Sequence, residues 1–198
     1  MGVNHFADMT LEEFSAFYGA QGLKKSAAHV ATTKKISLTQ SKVPESVDWH
    51  VAGKVSEPRD QGGCGSCWAF TTAATMESAY SIRFNKTIER MSVQYLVDCD
   101  PVNFGCGGGW MLDAYEYTRT HGLVKEGDYS SQYAGRKLAC KDSTGKERIK
   151  NDEQLEEDSI TVDRLKELVA TQPMGVAMHS NPRCLMGYHS GVIREADC

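Results

Sequence analysis

The chain has 198 residues, with 22 Lys and Arg against 26 Asp and Glu, which gives a formal net charge of -4 with the six histidines neutral. A weakly acidic chain without clustered Lys or Arg argues against nucleic acid or an anionic membrane surface as partner. A hydrophobic fraction of 40% and a charged fraction of 24% exclude collagen-like, low-complexity and fully disordered classes and predict a folded domain.

No apolar run approaches the roughly 18 to 20 residues of a membrane-spanning helix, and the first residues lack the basic and apolar regions of a signal peptide. Residues 1–19 predict a short amphipathic helix: Thr10 caps it, Glu13 is the capping-box partner, and Leu11, Phe14 and Phe17 form one apolar face. Residues 20–42 are rich in Lys, Ser, Thr and Ala without apolar periodicity, the composition of an exposed, cleavable linker. Compact structure resumes at Val43-Pro44.

Residues 67–84 contain neither Gly nor Pro, and Phe70, Ala73, Glu77, Tyr80 and Phe84 fall at helical spacing. This helix begins directly after the turn Gly62-Gly63-Cys64-Gly65-Ser66, so Cys67 sits at the positive end of its dipole. Glu77 interrupts the apolar stripe and requires a buried partner if it faces inward. Further on, a polar stretch ends in an acidic cluster at 153–158, read as a solvated loop. A helix over Val162–Ala170 follows, with Leu165, Leu168 and Val169 on one face, and then strand-like pieces at Gly175–Met178 and Gly187–Arg194. A helical region followed by a strand-rich one predicts an α+β fold with two lobes.

The chemistry concentrates at Gln61-Gly62-Gly63-Cys64-Gly65-Ser66-Cys67-Trp68-Ala69-Phe70. Unpaired N–H groups at a helix start stabilise a thiolate, which predicts a lowered pKa and a nucleophilic Cys67. The side-chain amide of Gln61 and the backbone N–H of Cys67 are candidate donors to the oxyanion formed when that thiolate attacks a carbonyl. Other readings of the pair Cys64-x-x-Cys67 are a redox pair, half of a zinc site completed by Cys99 and Cys106, or simple disulfide cysteines. No βαβ unit precedes the pair, and the second cysteine pair is loosely spaced for zinc.

The run Gln61 to Phe70 resembles the active-site segment of the papain and cathepsin family of cysteine peptidases. The resemblance covers nearly the whole chain. Residues 43–49 resemble the family's mature amino terminus, Ser92–Asp100 the segment before its second disulfide cysteine, and Gly105–Gly109 its substrate-binding glycine loop. Gly2, Asn4, Phe6 and Asp8 match a motif of its inhibitory propeptide.

The resemblance implies a two-lobe papain-like fold, helical on the left and strand-rich on the right, with the right lobe incomplete. It places the end of a propeptide and an activation linker at 1–42 and the peptidase domain at 43–198. Cys67 is then the nucleophile and Gln61 the oxyanion-hole amide. Gly65, Trp68, Gly108, Gly109, Trp110, Met111 and Ala177 are the substrate-binding residues: Gly108 and Gly109 present backbone to an extended peptide, and Trp110 and Met111 line an apolar pocket with Ala177 on its far wall. Cys64–Cys106 and Cys99–Cys140 are the implied disulfides, and Glu77 the family's buried helix glutamate. No metal or organic cofactor is required. The implied partners are a peptide or protein substrate and the chain's own propeptide, in a lysosomal, vacuolar or secreted setting.

Two departures are small: Gly107 stands where the family usually has Asn, and Val93 where Glu is common. A larger one concerns the catalytic His and Asn, expected about 130 to 150 residues beyond the nucleophile, or roughly positions 197 to 217. His121, His179 and His189 do not match that position, and His189 reads as an exposed strand residue. Cys184 and Cys198 are a candidate third pair, and the triplet Asn85-Lys86-Thr87 is an N-glycosylation acceptor motif, usable only if the chain enters the secretory lumen. An alternative reading is therefore a catalytically inactive papain-fold subunit whose open sheet edges are covered by a partner chain.

Overall fold

The computed structural model describes residue 4 and residues 6–18, 43–152, 160–178 and 183–194. The linker at 20–42, the acidic cluster at 153–158, His179, Cys198 and the side chains of Phe17 and Cys184 lie outside that description. Six helices follow in chain order: α1 (Leu11–Tyr18), α2 (Cys67–Arg83), α3 (Val93–Cys99), α4 (Met111–His121), α5 (Val162–Val169) and α6 (Arg183–Met186).

The start of α1 is the expected capping box. The Glu13 N–H donates to Thr10 Oγ1 at 3.1 Å, and the Thr10 N–H donates back to Glu13 Oε2 at 2.8 Å. Phe14 is buried and meets Phe6 edge-on, with ring centroids 5.1 Å apart. Upstream, Asn4 accepts from the Phe6 N–H and donates to the carbonyl of Met186 at 2.6 Å, fastening the beginning of the chain to the end of α6.

α2 is the central element, packed against α3 and α4. Its buried side includes Trp68, Ala69, Thr72, Ala73, Met76 and Glu77. Of the expected stripe, Ala73 and Glu77 are buried and Phe70 and Tyr80 partly so. Phe84, the C-cap, is 53% exposed, its ring packed back on that of Tyr80 on the outer side of the helix end. Two helices that periodicity did not announce complete this lobe. α3 is capped by Ser92, whose Oγ accepts from the Tyr95 N–H at 3.1 Å. α4 starts where the glycine loop ends and closes on Gly122, at φ 75°. The core joins Trp68, Met76, Met91, Leu96, Val97, Leu123 and Val124.

Glu77 is 1% exposed, and every demand of its carboxylate is met. Arg59 Nη2 and the Met91 N–H each donate to Oε1 at 2.8 Å, and Ser56 Oγ donates to Oε2 at 2.7 Å. Arg59 itself lies over the Phe70 ring, 5.4 Å from its centroid.

The strand-rich half departs from expectation. Gly175–Met178 and Gly187–Arg194 are irregular, and the β pairing of the described residues consists of two single antiparallel bridges, Met91 with Lys125 and Leu123 with Ile149. Alternating apolar residues form a strand only beside another strand that takes up their N–H and C=O groups. No such neighbour lies among the described residues. Val176 is 62% and Val192 84% exposed. α5 forms as expected but buries only Leu168 fully, while Leu165 faces solvent. It is joined to the beginning of the 43–198 region by Trp49, whose indole N–H donates to the Val169 carbonyl at 2.7 Å.

Replacing Glu77 by Ala strands the Met91 N–H and leaves the largely buried Arg59 with only the Met91 carbonyl at 3.3 Å and Glu126 at 3.8 Å as polar partners. The expected loss is about 3–5 kcal/mol of unfolding free energy, measured as a lower urea midpoint; a midpoint within error of the parent would show that the network contributes nothing.

Candidate active site

The site is built where the first turn of α2 meets the glycine loop 105–109. Cys64 and Cys106 form a disulfide across this junction, and the Gly65 N–H donates to the Cys106 carbonyl at 3.0 Å. A Cβ on Gly65 would stand 2.7 Å from that same carbonyl oxygen, so only glycine permits the approach. The second disulfide, Cys99–Cys140, closes the end of α3 against the loop below it.

Trp68, expected among the substrate-binding residues, has a different position. Its side chain is 1% exposed, and its indole N–H donates to the Gly105 carbonyl at 3.0 Å. It is a core residue that holds the loop from beneath, since a large indole at the second position of a buried helix has nowhere to go but inward.

Asn103, which sequence reading did not single out, holds the same loop from its other side. Its amide donates to Asp100 Oδ2 at 2.7 Å, and its Oδ1 accepts from the Trp110 N–H at 2.7 Å. Gly109 packs so closely beneath it that a Cβ would stand 2.3 Å from Asn103 Oδ1 and 2.9 Å from the Trp68 ring. Gly108 has φ 104°, a conformation that belongs to glycine. Both Gly108 and Gly109 are buried, and the Gly108 carbonyl already accepts from the Phe104 N–H at 3.0 Å. The part of the loop that opens to solvent is Gly107.

Trp110 and Met111 begin α4 and are partly exposed. Gly175 reaches Met111 across the groove: a Cβ there would lie 3.4 Å from Met111 Sδ and 2.7 Å from Thr71 Cγ2. The structure thus brings the segment containing Ala177 to the start of α4, with Ala177 itself exposed two residues beyond the contact.

Cys67 is the first residue of α2 and the one described cysteine side chain outside a disulfide. Its thiol is pushed up, not down as the helix start predicts. Burial is the largest cause, with the backbone N–H groups of Trp68 and of Cys67 itself pulling the other way. The cost of placing a thiolate in a half-buried position exceeds what two N–H donors return.

Gln61 is partly buried beside this turn. One proton of its amide donates to the Cys64 carbonyl at 3.0 Å, and the same nitrogen carries a second. Its backbone carbonyl accepts from the Tyr133 hydroxyl at 2.6 Å, while the Ser66 hydroxyl lies 2.6 Å from the same Tyr133 oxygen. A phenol has one proton, and a carbonyl can only accept, so Ser66 must be the donor of the second bond. Burial pushes the Tyr133 phenol up and keeps it protonated for this role. Tyr133 thereby ties Gln61 to the N-cap of α2, and its ring meets Phe70 edge-on with centroids 4.8 Å apart. No local motif marks Tyr133, which is 66 residues from Cys67; only the fold joins them.

Among the described histidines, none hydrogen-bonds Cys67. His121 stacks on Tyr117, His50 pairs with Glu57, and His189 lies exposed beside Ser190 in irregular chain. The described residues contain no cluster of ligating side chains that would hold a metal ion.

A helix-start cysteine, an amide beside it and a stapled glycine loop thus lie together at the first turn of α2. The papain family cysteine protease profile matches residues 43–198, and the chain belongs to that family. It is 35% identical over 99% of its length to cysteine protease Amb a 11.0101 of Ambrosia artemisiifolia, and 34% identical over its whole length to a cathepsin L-like proteinase of Fasciola hepatica. It covers 53% and 60% of those two chains, so it spans little more than half of the relatives it matches.

Among solved structures, the crystal structure of the ragweed pollen protease Amb a 11 in its proform aligns over 96% of this chain and 60% of its own, at 34% identity and a TM-score of 0.84. Recombinant stem bromelain precursor aligns over 97% of this chain and 60% of its own, at 31% identity and a TM-score of 0.77. The fold is papain-like, and both of these structures are precursor forms.

Two outcomes test this geometry. Gly109→Ala forces Asn103 or Trp68 to move and should lower stability by about 1–3 kcal/mol, read by thermal unfolding; an unchanged midpoint would show that the loop has slack. In the isolated chain, alkylation of Cys67 by iodoacetamide should be slower at pH 7 than that of a free cysteine and should rise steadily through the alkaline range, because a raised pKa leaves less thiolate at neutral pH. A rate already level below pH 7 would mean that a basic partner sits beside the thiol.

Proposed function

We propose that this chain carries the nucleophile half of a cysteine endopeptidase of the cathepsin L type, in its zymogen form. The observation that supports this most directly is the placement of Cys67 at the open end of α2, beside Gln61 and against the stapled glycine loop. Cys67 Sγ attacks the peptide carbonyl. The second amide proton of Gln61 and the Cys67 N–H receive the developing oxyanion, and the amine leaves with a proton to give a thioester that water hydrolyses.

Because burial holds the thiol up, the reaction requires an imidazole close to Sγ. That imidazole comes from outside the described residues. Trp110 and Met111, with the 175–177 segment opposite, form the pocket for an apolar substrate side chain. Residues 4–18 are the end of the propeptide, held in place through Asn4 and Phe14. The two disulfides suit a lysosomal, vacuolar or secreted setting. An inactive structural subunit finds no support, since the relatives above are described as proteases.

The test is covalent labelling with a peptide that ends in a thiol-directed warhead. Labelling of Cys67 that is lost in Cys67→Ser, falls at least tenfold in Gln61→Ala and follows a bell-shaped pH profile supports the reading. A folded protein, with both disulfides formed, that resists the warhead across pH 4–9 would overturn it.

A further inference from the structure

The far end of α2 carries a feature that peptidase chemistry does not use. α2 runs from Cys67 to Arg83, so the turn that follows stands about 26 Å from the nucleophile at 1.5 Å per residue. Phe84, Asn85, Lys86 and Thr87 are all exposed there. The backbone of this turn is fixed. The Lys86 N–H donates to the Ser81 carbonyl at 3.0 Å, and the Lys86 carbonyl accepts from Ser81 Oγ at 2.6 Å and Lys54 Nζ at 2.9 Å.

By contrast, no hydrogen bond engages the side chain of Asn85 or of Thr87 among the described residues. Asn85 has φ 48°, and Asn is the non-glycine residue best suited to that left-handed conformation. The turn therefore explains the asparagine. It does not explain a hydroxyl two positions later that neither caps nor bonds anything. Directly beside Asn85, Phe84 remains 53% exposed although its ring meets Tyr80 and the Arg83 guanidinium lies 5.5 Å from its centroid.

We propose that Asn85 is an N-glycosylation site and that the first sugar packs its apolar face on the exposed ring of Phe84. The proposal rests on the lumenal setting inferred above. The donor is a lipid-pyrophosphate-linked oligosaccharide. Asn85 Nδ2 forms a bond to the anomeric carbon, the carbon–oxygen bond to pyrophosphate breaks, its electron pair leaves with the lipid pyrophosphate, and the amide gives up one proton to the transferase. At the opposite end of α2 from Cys67, the glycan leaves the groove open. It covers the part of the Phe84 ring that Tyr80, at 4.8 Å between centroids, and the Arg83 guanidinium, at 5.5 Å, leave open.

The full chain, secreted from cultured eukaryotic cells behind a leader peptide, provides the test, and no readout requires peptidase activity. After treatment with peptide-N-glycosidase in heavy-oxygen water, residue 85 should be recovered as heavy-labelled Asp. That label should be lost in Thr87→Ala and kept in Thr87→Ser. Unmodified Asn85 in secreted chain with both disulfides formed would overturn the site. For the packing, complete deglycosylation should lower the unfolding temperature by about 2–4 °C relative to chain trimmed to one sugar, and should cause no such drop in Phe84→Ser. An equal drop in both would overturn the contact with Phe84.

Discussion

The first turn of α2 lies against the glycine loop because three bonds hold it there: the Cys64–Cys106 disulfide, the Gly65 N–H on the Cys106 carbonyl, and the Trp68 indole on the Gly105 carbonyl. Each crosses between segments about forty residues apart in sequence. A loop of five residues with four glycines has no side-chain packing of its own and a large conformational entropy to lose. Its shape must therefore be imposed from outside. The disulfide fixes its middle, Trp68 its beginning and Asn103 its end, which places the start of α4 across from Cys67.

This arrangement obliges α2 to serve two opposed ends. Its N-terminus must stay open to a reacting group, while its body fills the middle of the core. The buried ion pair of Glu77 with Arg59 belongs to the second task. Burying a carboxylate and a guanidinium together rarely gains stability over a well-packed apolar pair. Here the carboxylate also accepts the Met91 N–H, next to the bridge that pairs Met91 with Lys125. Glu77 therefore sets where the chain after α2 returns to the core, a positional role that an apolar side chain cannot fill.

What the sequence made legible follows from where the information is local. The capping box of α1 and the length of α2 rest on neighbours within four residues, and both form as read. α3 and α4 escaped a periodicity reading because they are short, and because α3 is buried along nearly its whole length, so no polar face alternates with an apolar one. The strands at 175–178 and 187–194 failed for the opposite reason: alternation is local, but pairing is not. Both disulfides and the roles of Cys67 and Gln61 came from resemblance to a family and not from spacing. Trp68 was assigned to the groove by that same resemblance, and its burial is a property of the packed helix that no linear motif contains. Tyr133 and Asn103 act on the site from 66 and 36 residues beyond Cys67, and a chain read without its fold offers no sign of them.

The thiol itself carries the last step. A helix start was expected to lower its pKa, yet burial prevails. The packing that seats Trp68 in the core beside it also takes water away from Sγ. A thiol so placed holds its proton more tightly than a free cysteine does. An imidazolium within about 4 Å reverses the balance, because its attraction for a thiolate grows as the surroundings become drier. Burial therefore works against the helix start in setting the acidity of this thiol, and a cation brought close to it would act in the opposite sense.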